Sequence, residues 1–324
     1  MRITFVGGGT DFPGFFRNHE GATLSATINK YVFVITNQQP SFVRDKFRFT
    51  YRKTESVDSI KKIQHPVVRT VMDRMLWEEP LNIATIADLP GESGLGSSSA
   101  FTAALIQNLH FRKSIEIHGN ALARESIHVE RELLEEPGGW QDQLSTTFAG
   151  IRMYSYYGSD FSVNKNILTE ENLRYFGPRM ILVRVPNTRK RTTPARANQT
   201  FIEKHADAGF LKELSSKTKE VWNSLNASKS PEDQFKILQE AIVFSWTQKS
   251  SWGNHIDTNH TAQMMRELKS LGVKSMKLLG AGGGGFVLVA EEPEIIQNIK
   301  SSMNQNQLVD FEMHSNPVRT YTHV

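Results

Sequence analysis

The stretch Pro90-Gly91-Glu92-Ser93-Gly94-Leu95-Gly96-Ser97-Ser98-Ser99-Ala100 constrains this chain more than any other. It lies between an apolar run, Leu81 to Leu89, and a small-residue segment (Ala100, Ala103, Ala104, Gln107) with helical spacing. A glycine-rich turn that opens a helix presents unpaired N–H groups and the positive end of the helix dipole, which together attract anions. The hydroxyls that follow can reach a phosphate oxygen or a hard cation. A plain Gly/Ser connection between two elements is the competing reading. Gly91 and Gly96 have the spacing of a Walker A loop, but Ser97 stands where that loop needs lysine, so a P-loop NTPase is disfavoured. Protein-kinase signatures of the H-R-D and D-F-G type are also missing.

The length of 324 residues suggests two domains. A net charge of +4, spread without a clustered basic face, suits an anionic small molecule and argues against nucleic acid. The absence of cysteine excludes disulfides, thiolate catalysis and Cys-based metal sites. No apolar run approaches the roughly 20 residues of a membrane helix and no signal peptide is visible, which predicts a cytoplasmic protein that does not enter a membrane.

Strands are expected at Arg2–Val6, Ala22–Ile28, Tyr31–Asn37 and Lys46–Arg52, and helices at 66–77 and 120–135. Met180–Val185 reads as a strand, polar helices run from Pro194 to Gly272, and the strands Met276–Leu279 and Phe286–Ala290 flank a run of glycines. The change in character places a domain boundary near 177–186, giving units 1–180 and 181–324.

Several residues could carry chemistry. Asp142 follows the turn Gly138-Gly139 and could accept a proton from a substrate hydroxyl or cap a helix. Leu122, Ser126, Val129 and Leu133 define an inward helical stripe on which Glu130 falls. An inward glutamate needs a metal or a basic partner. Gly7-Gly8-Gly9-Thr10-Asp11 could approach a ligand or form an Asx-capped turn. Gly282 to Gly285 hold more glycine than a turn requires. The run Arg189-Lys190-Arg191, with Arg196, could grip a phosphate or lie solvated. The histidines lack metal-ligand spacing.

Together these segments resemble the GHMP sugar and small-molecule kinases. Pro90–Ala100 is similar to the P-x-x-x-G-L-G-S-S-[AS] phosphate loop, with Ser99 in the last variable slot. Leu279–Phe286 resembles the C-terminal glycine motif, and Arg2-x8-Asp11 with Thr10-Asp11-Phe12 resembles the N-terminal motif. Glu130 and Asp142 have the spacing of galactokinase-like members. Gly7–Asp11, Ala22–Ile28 and Gly139-Trp140-Gln141-Asp142-Gln143 resemble the heptose 7-phosphate kinase branch.

The resemblance implies an α+β, two-domain fold, with an N-terminal domain like ribosomal protein S5 domain 2 and a ferredoxin-like C-terminal domain. ATP would lie in the cleft between them. The implied reaction phosphorylates the anomeric hydroxyl of D-glycero-D-manno-heptose 7-phosphate. Pro90, Gly91, Glu92, Ser93, Gly94, Leu95, Gly96, Ser97, Ser98 and Ser99 would bind ATP, and Ser98 and Glu130 would ligate Mg²⁺. Asp142 would act on the hydroxyl, and Arg2 would offset phosphoryl charge. Gly9, Thr10, Asp11, Arg191 and Gly282, Gly283, Gly284 and Gly285 would bind the phosphosugar. Asn187-Thr188-Arg189-Lys190-Arg191 departs from a T-G-x-x-R-like segment of the branch and leaves open which basic residue holds the substrate phosphate. Arg2 directly follows Met1, where relatives carry a longer lead, so either a short first strand or a miscalled gene start is expected, and fraying of Arg2 would remove its implied role. A homodimer is compatible with the reading. The rival readings are a fucokinase-like sugar 1-kinase and a non-catalytic sugar or nucleotide sensor.

Overall fold

The computed structural model describes residues 1–40, 42–91, 93–186, 192–252, 259–314 and 316–321. In its first half the elements are β1 (Arg2–Val6), α1 (Pro13–Phe16), β2 (Gly21–Thr27), β3 (Val32–Gln38), β4 (Phe47–Thr50), β5 (Thr54–Val57), α2 (Pro66–Arg74) and β6 (Leu81–Ala87). Then come α3 (Ser97–Arg112), α4 (Gly119–Ile127) running into a π-helical turn (His128–Leu133), α5 (Gln141–Thr147), β7 (Ile151–Tyr157), β8 (Asp160–Val163) and α6 (Glu170–Phe176). The second half holds β9 (Met180–Val185), α7 (Thr192–Lys204), α8 (Gly209–Ala227), α9 (Pro231–Ser250), α10 (Asn259–Ser270), β10 (Met276–Leu278), β11 (Gly285–Ala290), α11 (Pro293–Ser302) and β12 (Leu308–Val309).

Two four-stranded sheets build the first half, in the orders β1-β2-β7-β8 and β3-β6-β4-β5. The first is antiparallel throughout, and β1 and β2 are buried along their whole length, with α5 and the α8–α9 pair packed around them. Burial on both faces is why β2 shows no polar–apolar alternation; the Thr23 hydroxyl pairs with the Tyr156 hydroxyl at 2.7 Å, whereas the buried Ser25 hydroxyl has no partner. β3, at a sheet edge, does alternate, with Phe33 and Ile35 exposed and Val32 and Val34 half-buried. Arg2 is not frayed. It pairs with Thr27 across the sheet, its N–H donates to Leu95 O at 2.9 Å, and its side chain is buried.

The second half is β9-(α7–α10)-β10-β11-α11-β12, with antiparallel strand order β10-β11-β9-β12. That is the ferredoxin-like arrangement. Leu182 and Leu288 point into the main core, whereas Ile181, Val183, Val287 and Val289 pack with Met264, Leu268 and Ile296 from α10 and α11. The main core is continuous between the halves, since Ile3 and Phe5 of β1 share it with Trp222 of α8 and Leu238 of α9. A division at residue 180 falls at the start of β9. It leaves the final segment on the first half, where Met313 bridges to Ile28 and His314 N–H donates to Thr27 O.

The helix expected at 120–135 is interrupted. The π turn inserts extra rotation, so Leu133, expected on the inward stripe, is 45 % exposed while Leu122, Ser126, Val129 and Glu130 stay buried.

Candidate active site

The loop before α3 turns on two glycines with left-handed backbone, Gly94 (φ 76) and Gly96 (φ 71), the latter forming the N-cap. α3 therefore begins at Ser97, and its first N–H groups open towards a groove lined by Pro90, Gly91, Ser97 and Ser98. The groove's far wall is aromatic: His65 packs edge-on against Tyr51 and Phe101, with centroids 5.2 and 5.3 Å apart. Burial depresses the His65 pKa, which favours the neutral ring there.

Not all of the expected loop residues face this groove. Leu95 is fully buried core, and Ser93 is buried with its hydroxyl unpaired. Successive residues of a helix diverge by about 100°, so Ser99 turns away from Ser98 and donates to Glu130 Oε2 at 2.8 Å. Glu92 lies outside the described residues.

A second cavity adjoins the groove. It is lined by Arg2, Gly9, Asp11, Gly94, Asp142 and the backbone of Gly280 to Gly284, among others. Asp142 sits in the first turn of α5, which is capped by Trp140 with no side-chain cap bond, so Asp142 is not the capping residue. Arg2 donates to Asp142 Oδ1 through Nε (2.9 Å) and Nη2 (2.5 Å), and to Gly94 O through Nη1 (2.6 Å). One guanidinium thus ties the phosphate loop to the catalytic carboxylate candidate.

Asp11 is also buried. It accepts from Gly9 N (2.8 Å) and Gln141 N (3.2 Å), so it fixes the glycine turn against the start of α5 while lining the cavity. Burial raises its pKa, opposed by those two N–H donors. Thr10, expected to bind substrate, is fully buried, and its hydroxyl donates to Gly7 O and Ala22 O. It is a strut of the turn and does not line the cavity.

Glu130 accepts from Ser99 Oγ (2.8 Å), Thr102 Oγ1 (2.6 Å) and Gln143 Nε2, with Arg131 Nη2 3.8 Å away. The oxygen donors expected for magnesium have the right hardness for that ion, but the hydroxyl that meets Glu130 is Ser99, and Ser98 looks into the groove. Ser98 is not among the hydrogen-bond partners of Glu130, and among the described residues no group of three or more His, Cys, Asp or Glu is placed to hold a metal.

The two glycine motifs touch. A Cβ on Gly94 would lie 2.8 Å from Leu279 O, one on Gly280 would lie 2.5 Å from Gly94 Cα, and one on Gly285 would lie 2.7 Å from Ser93 O. Gly285 thus packs against the phosphate loop and pairs with Val185 in β11, outside the cavity where it was expected. Gly282, Gly283 and Gly284 do line the cavity. Arg191, with Arg189 and Lys190, lies outside the described residues.

Residues without an expectation from sequence also line the cavity. Lys249, half-buried in the last turn of α9, donates to Gly280 O. Its pKa is lowered to about 8, first by burial and then by Arg2, with Asp11 and Asp142 acting in the opposite sense. The outer end of the Trp252 ring abuts Gly9, where any Cβ would meet Cη2 at 2.3 Å, and Arg131 reaches the cavity from the π turn. Neither Lys249 nor Arg131 has a sequence signal, because cationic side chains on helices usually face solvent.

Residues 60–150 match the family model for the N-terminal domain of GHMP kinases. The match covers the segment that holds α2 to α5 with the glycine–serine loop, and the likeness of the whole chain to solved kinases is one of fold. The chain is similar to the D-glycero-alpha-D-manno-heptose 7-phosphate kinase of Campylobacter jejuni, at 23% identity covering 99% of this chain and 97% of the relative. It is also similar to the bifunctional fucokinase/GDP-fucose pyrophosphorylase of Arabidopsis thaliana, at 21% identity over 97% of this chain but 32% of that protein. The solved structure of a D-glycero-D-manno-heptose 1-phosphate kinase from Bacteroides thetaiotaomicron superposes with a TM-score of 0.76 at 18% identity, covering 99% of this chain and 98% of that one. These relatives are named as kinases, enzymes that transfer a phosphoryl group to an alcohol acceptor. No helix among the described residues is long and apolar enough to cross a membrane.

Proposed function

We propose that this chain is a GHMP kinase that transfers the γ-phosphoryl group of ATP to the anomeric hydroxyl of D-glycero-D-manno-heptose 7-phosphate, giving the 1,7-bisphosphate used for nucleotide-activated heptose. The observation that carries the reading is the Arg2–Asp142 pair, which lines the cavity and is tied through Gly94 O to the loop that opens the adjoining Gly/Ser-lined groove. The near full-length similarity to a heptose 7-phosphate kinase supports the choice of sugar.

In this reading the phosphates lie on the N–H groups and hydroxyls at the start of α3, with the base against Tyr51, His65 and Phe101. The sugar occupies the cavity, with a face on Trp252 and hydroxyls near Asp11. Asp142 orients the anomeric hydroxyl and takes its proton as the new oxygen–phosphorus bond forms. The bond from that phosphorus to the bridging oxygen of the diphosphate breaks, and ADP leaves. Arg2 holds Asp142 in place and faces the charge on the moving phosphoryl group. Magnesium would enter with the nucleotide and neutralise phosphate charge; no step here depends on a protein ligand to it.

The test is ADP release with Mg-ATP over a panel of heptose 7-phosphate, fucose, galactose and mevalonate, with Asp142→Asn as control. Turnover of the heptose phosphate, abolished in the control, is expected. Turnover of fucose alone would move the substrate to the fucokinase class, and no turnover of any acceptor would remove the kinase reading.

A further inference from the structure

Arg131 occupies a place that none of the expected site residues occupies. Among the described residues it is the one charged side chain that borders both the nucleotide groove and the acceptor cavity; the other two residues shared by the two linings are Pro137 and Ala195. A phosphoryl group leaving the Ser97–Ser98 side for the Asp142 side must cross this boundary.

The local structure is shaped to hold the guanidinium there. The π turn that carries Glu130 inward puts its neighbour Arg131 at the rim. Arg131 Nε donates to Gly139 O (3.0 Å) and Nη1 to Glu136 O (3.1 Å), so the fork is anchored by backbone carbonyls on one edge. Gly138 packs against it: its φ is 147, and a Cβ there would crowd Nη2 at 3.1 Å and Cζ at 3.2 Å, so backbone lies close beside the planar group. The side chain is 11 % exposed. Its nearest carboxylate, Glu130, stands 3.8 Å from Nη2 and already accepts from Ser99, Thr102 and Gln143. A largely desolvated cation held by neutral carbonyls, with a shared carboxylate beyond hydrogen-bond distance, is poised for an arriving anion.

We infer that Arg131 is a catalytic residue that contacts the γ-phosphoryl group of the bound nucleotide and follows it during transfer, opposite Arg2. This deepens the proposed kinase activity and rests on it. As the bond from the γ-phosphorus to the bridging oxygen breaks and the bond to the acceptor oxygen forms, charge spreads over the equatorial oxygens, and the Arg131 fork supplies two donors to them. The acceptor proton goes to Asp142, and ADP is the leaving group.

The test separates this role from a structural one and does not depend on the acceptor. Affinities for ADP and for a non-hydrolysable ATP analogue are measured by calorimetry for wild type, Arg131→Ala and Arg131→Lys, each checked for its melting temperature. Arg131→Ala is expected to lose at least tenfold in affinity for the ATP analogue while ADP affinity stays within threefold, and Arg131→Lys to recover part of the difference. Turnover on whichever acceptor the wild type uses should fall by roughly 10³-fold in kcat, the lower range for a transition-state arginine, with partial rescue of Arg131→Ala by added guanidinium. Equal loss of ADP and ATP-analogue binding, or an unchanged ratio, overturns the assignment. If Arg131→Ala does not fold, the Arg131→Lys ratio and kcat decide alone: wild-type values for both overturn it. Wild type that binds neither nucleotide defeats the kinase reading itself, whereas wild-type turnover unaffected by either variant defeats Arg131 only.

Discussion

Removing Asp142 should cost stability as well as activity, and the two losses can be told apart by a double-mutant cycle. Arg2 is 1 % exposed, and the Asp142 side chain is 13 % exposed. Deleting one partner of a buried ion pair costs about 3–5 kcal/mol, because the other charge stays desolvated. Here Gly94 O continues to accept from Arg2 at 2.6 Å and the cavity admits some solvent, so Asp142→Ala belongs near the lower end, about 3 kcal/mol. Arg2→Met removes the stranded cation and keeps much of the apolar stem, so the double variant should be more stable than the sum of the singles predicts, with a coupling of about 2 kcal/mol. Urea unfolding at neutral pH measures all four proteins, and the continuous core makes a single transition the expectation. All three variants should be inactive. A coupling below about 0.5 kcal/mol, the range for independent sites, would refute the argument that Arg2 depends on Asp142 for its burial.

Three further outcomes follow from the geometry. Gly94→Ala and Gly158→Ala both place a side chain at positive φ, but only Gly94 is crowded, by Leu279 O at 2.8 Å, while nothing lies within 4 Å of a Cβ on Gly158. Gly158→Ala should cost the conformational penalty alone, about 1–2 kcal/mol, and Gly94→Ala clearly more, read as melting temperatures. Ser98→Ala should weaken nucleotide binding with little change in melting temperature, and Ser99→Ala should do the reverse, losing about 1–3 kcal/mol as Glu130 loses a donor. Lys249 holds its proton less tightly in the folded chain, at about 8 against 10.5, so between those values the unfolded chain binds more protons and this group adds stability as pH rises. Wild type should therefore gain stability relative to Lys249→Met from about pH 8 upward, and a difference that is flat or falls with pH would contradict the burial of the amine.

The fold was legible where periodicity and punctuation agreed. β1 and β9 appear with their expected bounds, because each is a short run closed by glycine or proline. The β7–β8 hairpin carried a usable signal in Gly158-Ser159 between aromatic strands, yet it has no assignment from sequence. The π turn at His128–Leu133 was not legible, since an inserted backbone rotation leaves no residue signature, and it moved Leu133 outward. The site was legible as motifs but not as directions. Sequence placed Ser98 and Ser99 in one loop; the helix phase separated them. It marked Gly282 to Gly285 as one run; strand pairing took Gly285 away from the cavity. Lys249, Trp252 and Arg131 reach the cavity only through tertiary packing, which a single chain's pattern does not encode.

The return of the final segment to the first half bears on how the enzyme comes into being. The Thr27 hydroxyl donates to His314 O at 2.7 Å, and the N–H of Gly150 donates to the same carbonyl at 3.0 Å. Thr27, which pairs with Arg2 across the sheet, and His314, which seals that sheet, lie 287 residues apart in sequence. Closing so long a loop is entropically slow. The seal therefore forms late in folding, and the Arg2–Asp142 pair beneath it would become rigid only then.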